Sequence, residues 1–273
     1  MKELNMKNTK CVIWRAAAVV AAVMLSSAQA NLELRVPPVV GAEASTVFID
    51  DESERFKYYA PVFLGEKMQW MDVLYDTMSD WTVISDEYDP DQSATATPWL
   101  DEDYNVYNDV VVGTQLYSGP IFNETMCLIR GEAGGQNRLC VKNSPIVLTP
   151  FGDDLGGYQG VLGLSHGEMN YVRLLEQERV LLDNVVTLDY DTHVQERSSV
   201  GFGTFNASKA NDGKLFVLPN AGHTKWTLKV TEAFIGDRQI DSENDVAFID
   251  SGNTTIQLPK DVYDQVYDEI KKL

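Results

Sequence analysis

The chain has 273 residues, 44% hydrophobic and 10% aromatic, which is enough for one large core or two lobes and too apolar for a disordered chain. Its 41 acidic against 22 basic side chains leave a formal net charge of −19, which repels nucleic acid and anionic lipid and argues against both as partners. At low pH, protonating part of this carboxylate excess lowers the net charge instead of building positive repulsion.

The N-terminus reads as a targeting segment. Lys2, Lys7, Lys10 and Arg15 precede an apolar run from Ala16 to Leu25, followed by Ser26-Ser27-Ala28-Gln29-Ala30. Small residues at Ala28 and Ala30 predict a signal peptide, residues 1–30, cleaved after Ala30. The run is too short for a stable membrane anchor, and no later stretch approaches that length. Residues 31–57, with Pro37-Pro38, read as a leader or extended arm.

From Tyr58 the pattern changes to short β segments: Tyr58–Leu64, Met71–Tyr75 and Trp81–Ile84, the first two joined by a turn at Gly65-Glu66. Residues 86–105 read as a polar loop. Strands are predicted at Val110–Val112, Thr114–Tyr117, Ile121–Ile129 and Ile146–Leu148. Gly131–Asn137 is expected to form a hairpin tip. The run Gly160-Val161-Leu162-Gly163-Leu164-Ser165 predicts a buried strand that another backbone approaches closely. A helix is predicted at Tyr171–Glu178, with Tyr171, Val172, Leu174 and Leu175 as a core-facing stripe. Further strands are expected at Val185–Asp189, Ser199–Phe205, Leu215–Leu218, Trp226–Ile235 and Val246–Ile249. Pro259 opens a last helix with Val262, Tyr263, Val266 and Ile270 at helical spacing. The overall expectation is a mostly β protein.

Of three cysteines, Cys11 leaves with the signal peptide. Cys127 and Cys140 remain as an even pair in an oxidising compartment, so a disulfide stapling a hairpin is expected. A metal site would need more ligands than the scattered His166, His193 and His223 supply, so no metal is expected. Asn123-Glu124-Thr125 and Asn206-Ala207-Ser208 are glycosylation sequons at plausible surface sites. A third, at Asn253, falls in an acidic loop.

The chemistry concentrates in two similar loops. Val73-Leu74-Tyr75 leads into Asp76-Thr77-Met78, and Ala247-Phe248-Ile249 leads into Asp250-Ser251-Gly252. An Asp at the end of a buried strand is unusual unless it is paired, hydrogen-bonded or catalytic. If the loops meet, two facing carboxylates cannot both ionise easily, and the pair shares a proton. One carboxylate can then activate a water while the other protonates a carbonyl oxygen. Thr77 and Ser251 can orient the pair through backbone hydrogen bonds.

These segments together resemble the pepsin-like eukaryotic aspartic proteases (peptidase family A1). Tyr58-Tyr59-Ala60-Pro61-Val62-Phe63-Leu64-Gly65 resembles the family's opening strand. Leu74-Tyr75-Asp76-Thr77-Met78-Ser79 resembles its first catalytic loop, and Gly160-Val161-Leu162-Gly163-Leu164 the strand threading beneath it. Val200-Gly201-Phe202-Gly203 resembles the strand near the lobe crossover, and Ala247–Thr254 the second catalytic loop. The resemblance runs from about Tyr58 to Leu273. It implies a bilobal acid-protease fold, with a complete N-terminal lobe and crossover at 58–205 and a partial C-terminal lobe at 206–273.

The resemblance further implies that Asp76 and Asp250 are the catalytic pair. Thr77, Ser79, Ser251, Gly252 and Asn253 would support them, Ser79 and Asn253 as outer hydrogen-bond partners. Tyr107 would be the aromatic of a closing flap, with Tyr104 a second candidate. Hydrolysis at acidic pH would need no cofactor. The expected partners are peptide or protein substrates, and the expected enzyme is a monomer in the secretory pathway, extracellular or in an acidic vacuolar or lysosomal compartment.

Three departures stand out. Met78 replaces the family's Gly, which implies crowding and a penalty if positive φ is required. Asn108 follows Tyr107 where the flap carries Gly. The chain ends at Leu273, so the C-terminal lobe is expected to be incomplete. A pseudoprotease that binds peptides without hydrolysis is the alternative. An unrelated secreted β protein, such as a carbohydrate-binding module, is the remaining one.

Overall fold

The computed structural model describes residues 20–21, 43–44, 47–50, 55–99, 107–112, 115–129, 138–150, 157–181, 183–189, 199–203, 217–222, 224–242, 245–253 and 255–272. Strands dominate, as the alternating and short apolar runs predict. In chain order they are β1 (Val20–Ala21), β2 (Glu43–Ala44), β3 (Val47–Asp50), β4 (Arg55–Leu64), β5 (Gln69–Asp76), β6 (Thr82–Ser85), β7 (Thr97–Pro98), β8 (Tyr107–Val112), β9 (Gln115–Ile129), β10 (Arg138–Thr149) and β11 (Gly160–Gly163). Helix α1 (Tyr171–Gln177) follows, then β12 (Val186–Asp189), β13 (Ser199–Phe202), β14 (Thr227–Lys229), β15 (Ala233–Ile235), β16 (Arg238–Ile240), β17 (Val246–Phe248) and α2 (Lys260–Ile270).

One large sheet positions the first acidic loop. Its order is β3-β4-β5-β11-β6-β10-β9-β7, with β8 paired to β9 alone and a further β4–β9 pairing. Strand β5 lies between β4, antiparallel, and β11, parallel, so its C-terminal end is held from both sides. Both of its faces are covered. Val73 and Tyr75 enter one core cluster with Val62, Leu64, Ile84 and Leu162, whereas Leu74 enters another with Val83, Ile121 and Val161. This double burial explains the unbroken Val73-Leu74-Tyr75 run, which half-buried alternation would not produce.

The glycines of β11 are required by close approach. A Cβ on Gly160 would lie 2.4 Å from the Val83 carbonyl, and one on Gly163 would lie 2.5 Å from that of Asp80. Helix α1 starts at Asn170, whose side chain accepts from the Arg173 amide, and it buries Tyr171, Val172 and Leu175. The Tyr171 hydroxyl donates to the carbonyls of Met126 and Leu139, tying the helix to β9 and β10.

Several boundaries differ from expectation. The polar loop at 86–105 contains a 3-10 turn at Pro90–Gln92 and strand β7. Strand β9 runs unbroken through Ser118-Gly119-Pro120, where the sequence suggested a gap. Gly119 allows this, because a Cβ there would lie 1.8 Å from the Leu148 carbonyl. The single strand expected at Trp226–Ile235 divides into β14 and β15. Strand β14 pairs with β17, whereas β15 pairs with β16 across a turn in which Gly236 has φ +59°. Val217 and Leu218 form no strand and are exposed. Of the α2 stripe only Val262 is buried, while Tyr263 and Tyr267 stack on one another in solvent with ring centroids 5.8 Å apart.

The arm expected at 31–57 contributes β2, β3 and the start of β4, with β3 pairing to residues 55–58. Strand β1 falls inside the expected signal peptide, so cleavage after Ala30 would remove its pairing with β12. No helix among the described residues is long and apolar enough to cross a membrane.

Candidate active site

Asp76 ends β5 and is buried, 1% exposed. Its Oδ1 accepts from the Met78 amide at 2.8 Å, and its Oδ2 accepts from the Ser79 hydroxyl at 2.5 Å. The Leu164 amide donates to the Asp76 carbonyl at 2.9 Å, and the Ser165 amide to that of Ser79 at 2.9 Å, so the exit of β11 braces the loop from beneath.

Asp250 follows β17 and is half-buried. Its Oδ1 accepts from the Gly252 amide at 3.0 Å, the same contact that Met78 makes to Asp76. The Asn253 amide supports it further. The Asn253 side chain turns away, its Oδ1 accepting from the Thr255 amide and hydroxyl. The outer hydroxyl that Ser79 gives Asp76 therefore has no counterpart from the Asn253 side chain.

The two loops meet through a reciprocal set of bonds. The Thr77 amide donates to Ser251 Oγ at 3.0 Å, and the Ser251 amide donates to Thr77 Oγ1 at 2.9 Å. Each hydroxyl then donates to a carbonyl of the opposite loop, Thr77 to Ile249 at 2.7 Å and Ser251 to Tyr75 at 2.7 Å. Each hydroxyl thus accepts one bond and donates one, which satisfies four backbone groups at the junction. A Cβ on Gly252 would lie 2.8 Å from Asp76 Oδ1 and 3.3 Å from Asp250 Oδ1, so both carboxylates face the space that this glycine leaves empty.

Met78 is accommodated without the strain the resemblance implied. It is not among the residues with positive φ, it keeps its amide bond to Asp76, and its side chain is half-exposed. The glycine requirement falls on Gly252, and there it is steric. Asp250 is held above the ordinary aspartate range, first by burial and second by the facing Asp76 charge. The arrangement therefore offers a buried, hydrogen-bonded carboxylate beside one that favours its proton.

The family model for eukaryotic aspartyl protease matches residues 57–272. The chain belongs to that family. It is 24% identical over 244 residues to a probable aspartic-type endopeptidase CTSD of Arthroderma benhamiae, covering 79% of this chain and 44% of that protein. The proteins of the same name from Trichophyton verrucosum and Arthroderma otae are 24% and 22% identical, covering 79% and 60% of this chain and 44% of each relative. The chain thus spans less than half the length of these relatives.

Among the other expected residues of this family member, Cys127 and Cys140 are disulfide-bonded, directly opposite one another on β9 and β10. Asn123 lies within β9, paired on one side to Thr97 and on the other to Pro145. Tyr107 begins β8 opposite Pro120, at the end of the β8–β9 pairing away from Val112 and Gln115. Tyr104, the Tyr107 side chain, Asn206 and the tip at Gly131–Asn137 lie outside the described residues.

Sequence reasoning missed Lys225, Trp226 and Asp80. Asp80 accepts from the Met169 amide at 3.2 Å and is raised, chiefly by burial. Nothing in their local sequence marks them, because their partners are main-chain groups far away in the chain.

Proposed function

We propose that Asp76 and Asp250 form one catalytic pair that hydrolyses peptide bonds by general acid–base activation of water. The observation that carries this reading is the reciprocal Thr77–Ser251 junction, which fixes both carboxylates around the space beside Gly252. Asp250, held above its ordinary range, supplies the acid. Its proton passes to the peptide carbonyl oxygen while Asp76 takes a proton from the attacking water. The tetrahedral diol then collapses. Asp76 passes its proton to the leaving nitrogen, a diol hydroxyl returns one to Asp250, and the C–N bond breaks with both carboxyls restored. Thr77, Ser79, Ser251 and Gly252 position the pair, with the Asn253 amide behind Asp250. The substrate is a peptide or unfolded protein. The β8–β9 hairpin would cover the cleft, with Tyr107 at its root.

The signal-peptide pattern of residues 1–30, the Cys127–Cys140 disulfide and the acidic composition support a place in the secretory pathway, extracellularly or in an acidic vacuolar or lysosomal compartment, and the working form proposed is a monomer. The domain layout proposed is a leader at 31–57, a first lobe with its crossover at 58–205 and a second-lobe portion from 206.

The test is cleavage of an unfolded protein at acidic pH by the purified chain. Asp76→Asn and Asp250→Asn should each lower the rate by about a thousandfold or more. Cleavage undiminished in both variants would overturn the mechanism. A second reading, peptide binding without hydrolysis, draws on Met78 in the first loop. It predicts peptide binding with no turnover in parent or variants.

A further inference from the structure

The dipeptide Lys225-Trp226, just before β14, touches both acidic loops by bonds independent of the Thr77–Ser251 junction. The Trp226 carbonyl accepts from the amide of Ile249, the residue preceding Asp250, at 2.9 Å. The Trp226 indole Nε1 donates to the Leu164 carbonyl at 2.7 Å, and the amide of that same Leu164 donates to the Asp76 carbonyl. The Lys225 ammonium donates to the Met78 carbonyl. One short segment is therefore bonded to the first loop at Met78, to the β11 exit that braces that loop at Leu164, and to the residue before Asp250 at Ile249.

The Trp226 anchor is packed on several sides. Its ring is buried and meets the His166 ring edge-on at 5.4 Å, while the His166 amide donates to the Thr224 carbonyl at 3.2 Å. Lys225 is consequently directed at the loops by a fixed neighbour. Its hydrogen-bond partner, a carbonyl, is neutral and leaves the ammonium charge uncancelled. That charge favours the ionised form of Asp80 and, as the smallest of the influences on it, of Asp250. The other ionisable groups around this cluster are Asp76, which faces Asp250, Glu168, which faces Asp80 and is paired to Arg173 at 2.8 Å, and His166.

We propose that Lys225 is a positioning residue of the acidic site, holding the Met78 peptide against the second loop and placing a positive charge beside Asp250. The charge opposes the effects of burial and of Asp76, so the pair works at lower pH than it would without the lysine. This rests on the catalytic reading of Asp76 and Asp250, but its test can be read without turnover.

The experiment is a carbon-NMR titration of aspartate carboxyls in the full chain, with the Asp250 signal identified by its loss in Asp250→Asn. Lys225→Met removes charge and bond, Lys225→Gln keeps a donor without charge, and Lys225→Arg keeps both. In the Met and Gln variants the Asp250 midpoint should rise measurably, whereas the Arg variant should stay near the parent. Where the chain cleaves peptide, the alkaline limb of its pH–rate profile, set by loss of the Asp250 proton, should rise with it. Thermal melting identifies which variants fold, and Gln stands in if Met does not. An unmoved Asp250 midpoint in a folded Gln or Met variant would overturn the proposal. A shifted midpoint in a chain that cleaves nothing would uphold Lys225 and defeat the hydrolytic reading instead.

Discussion

The Thr77 amide donates to the Ser251 hydroxyl at 3.0 Å while the Ser251 amide donates to the Thr77 hydroxyl at 2.9 Å. The relation is close to two-fold, and it joins residues that directly follow the two aspartates. Positions so far apart in the chain acquire a fixed separation from four hydrogen bonds, none of which uses a carboxylate oxygen. The carboxylates remain available for chemistry because other groups do the holding.

Removing the Thr77 hydroxyl should therefore damage geometry and stability together. Thr77→Val leaves the Ile249 carbonyl and the Ser251 amide without these partners. A loss of about 2–4 kcal/mol in denaturant unfolding is expected, with a rate loss of about a hundredfold. Thr77→Ser keeps the hydroxyl and should stay within about 1 kcal/mol of the parent.

Gly252→Ala should separate rate from stability. The added methyl would sit 2.8 Å from Asp76 Oδ1 and 2.9 Å from its Cγ, in the space both carboxylates face. Gly252 is not among the glycines with positive φ, so the backbone tolerates alanine. The rate should fall by about a hundredfold with a stability change near 1 kcal/mol, read by steady-state kinetics and thermal melting.

Met78→Gly should gain little. Met78 already supplies the amide bond to Asp76 from an unstrained backbone. The glycine variant should lose about 0.5–1 kcal/mol of stability through chain entropy and change rate by less than about tenfold. A gain of a hundredfold would show that the methionine side chain obstructs the cleft.

The pH dependence of stability should carry the mark of Asp250. Burial and the facing Asp76 raise it above the ordinary aspartate value of 3.8, so the folded chain binds this proton more tightly than the unfolded chain. Ionising it opposes folding as the pH climbs from that ordinary value through the raised one, and the penalty is absent at lower pH. Asp250→Asn removes the penalty. Its melting temperature should exceed the parent's above that window and approach it below.

Much of this site was legible because it is local and repeated. An apolar strand running into Asp and a small hydroxyl residue occurs twice, and the flanking glycines of β11 announce close packing. The Cys127–Cys140 staple was legible for a similar reason, an even pair flanking a turn-rich stretch. What could not be read depends on distant backbone. The unbroken course of β9 through Gly119 is set by the Leu148 carbonyl, and the roles of Lys225 and Trp226 are set by the carbonyls of Met78 and Leu164. A carbonyl acceptor has no residue type, so its partner leaves no trace in the pattern. The strain expected at Met78 was a sound inference from side-chain chemistry, but that residue's φ is not positive.

The claim that the two loops make one site is tested most directly by titrating Asp250 in the presence and absence of the Asp76 charge. The Asp250 carboxyl midpoint should lie above the ordinary aspartate value in the parent and fall in Asp76→Asn, because a like charge that opposed ionisation has gone. An Asp250 midpoint identical in parent and Asp76→Asn would show that the carboxylates titrate independently and would contradict the paired site.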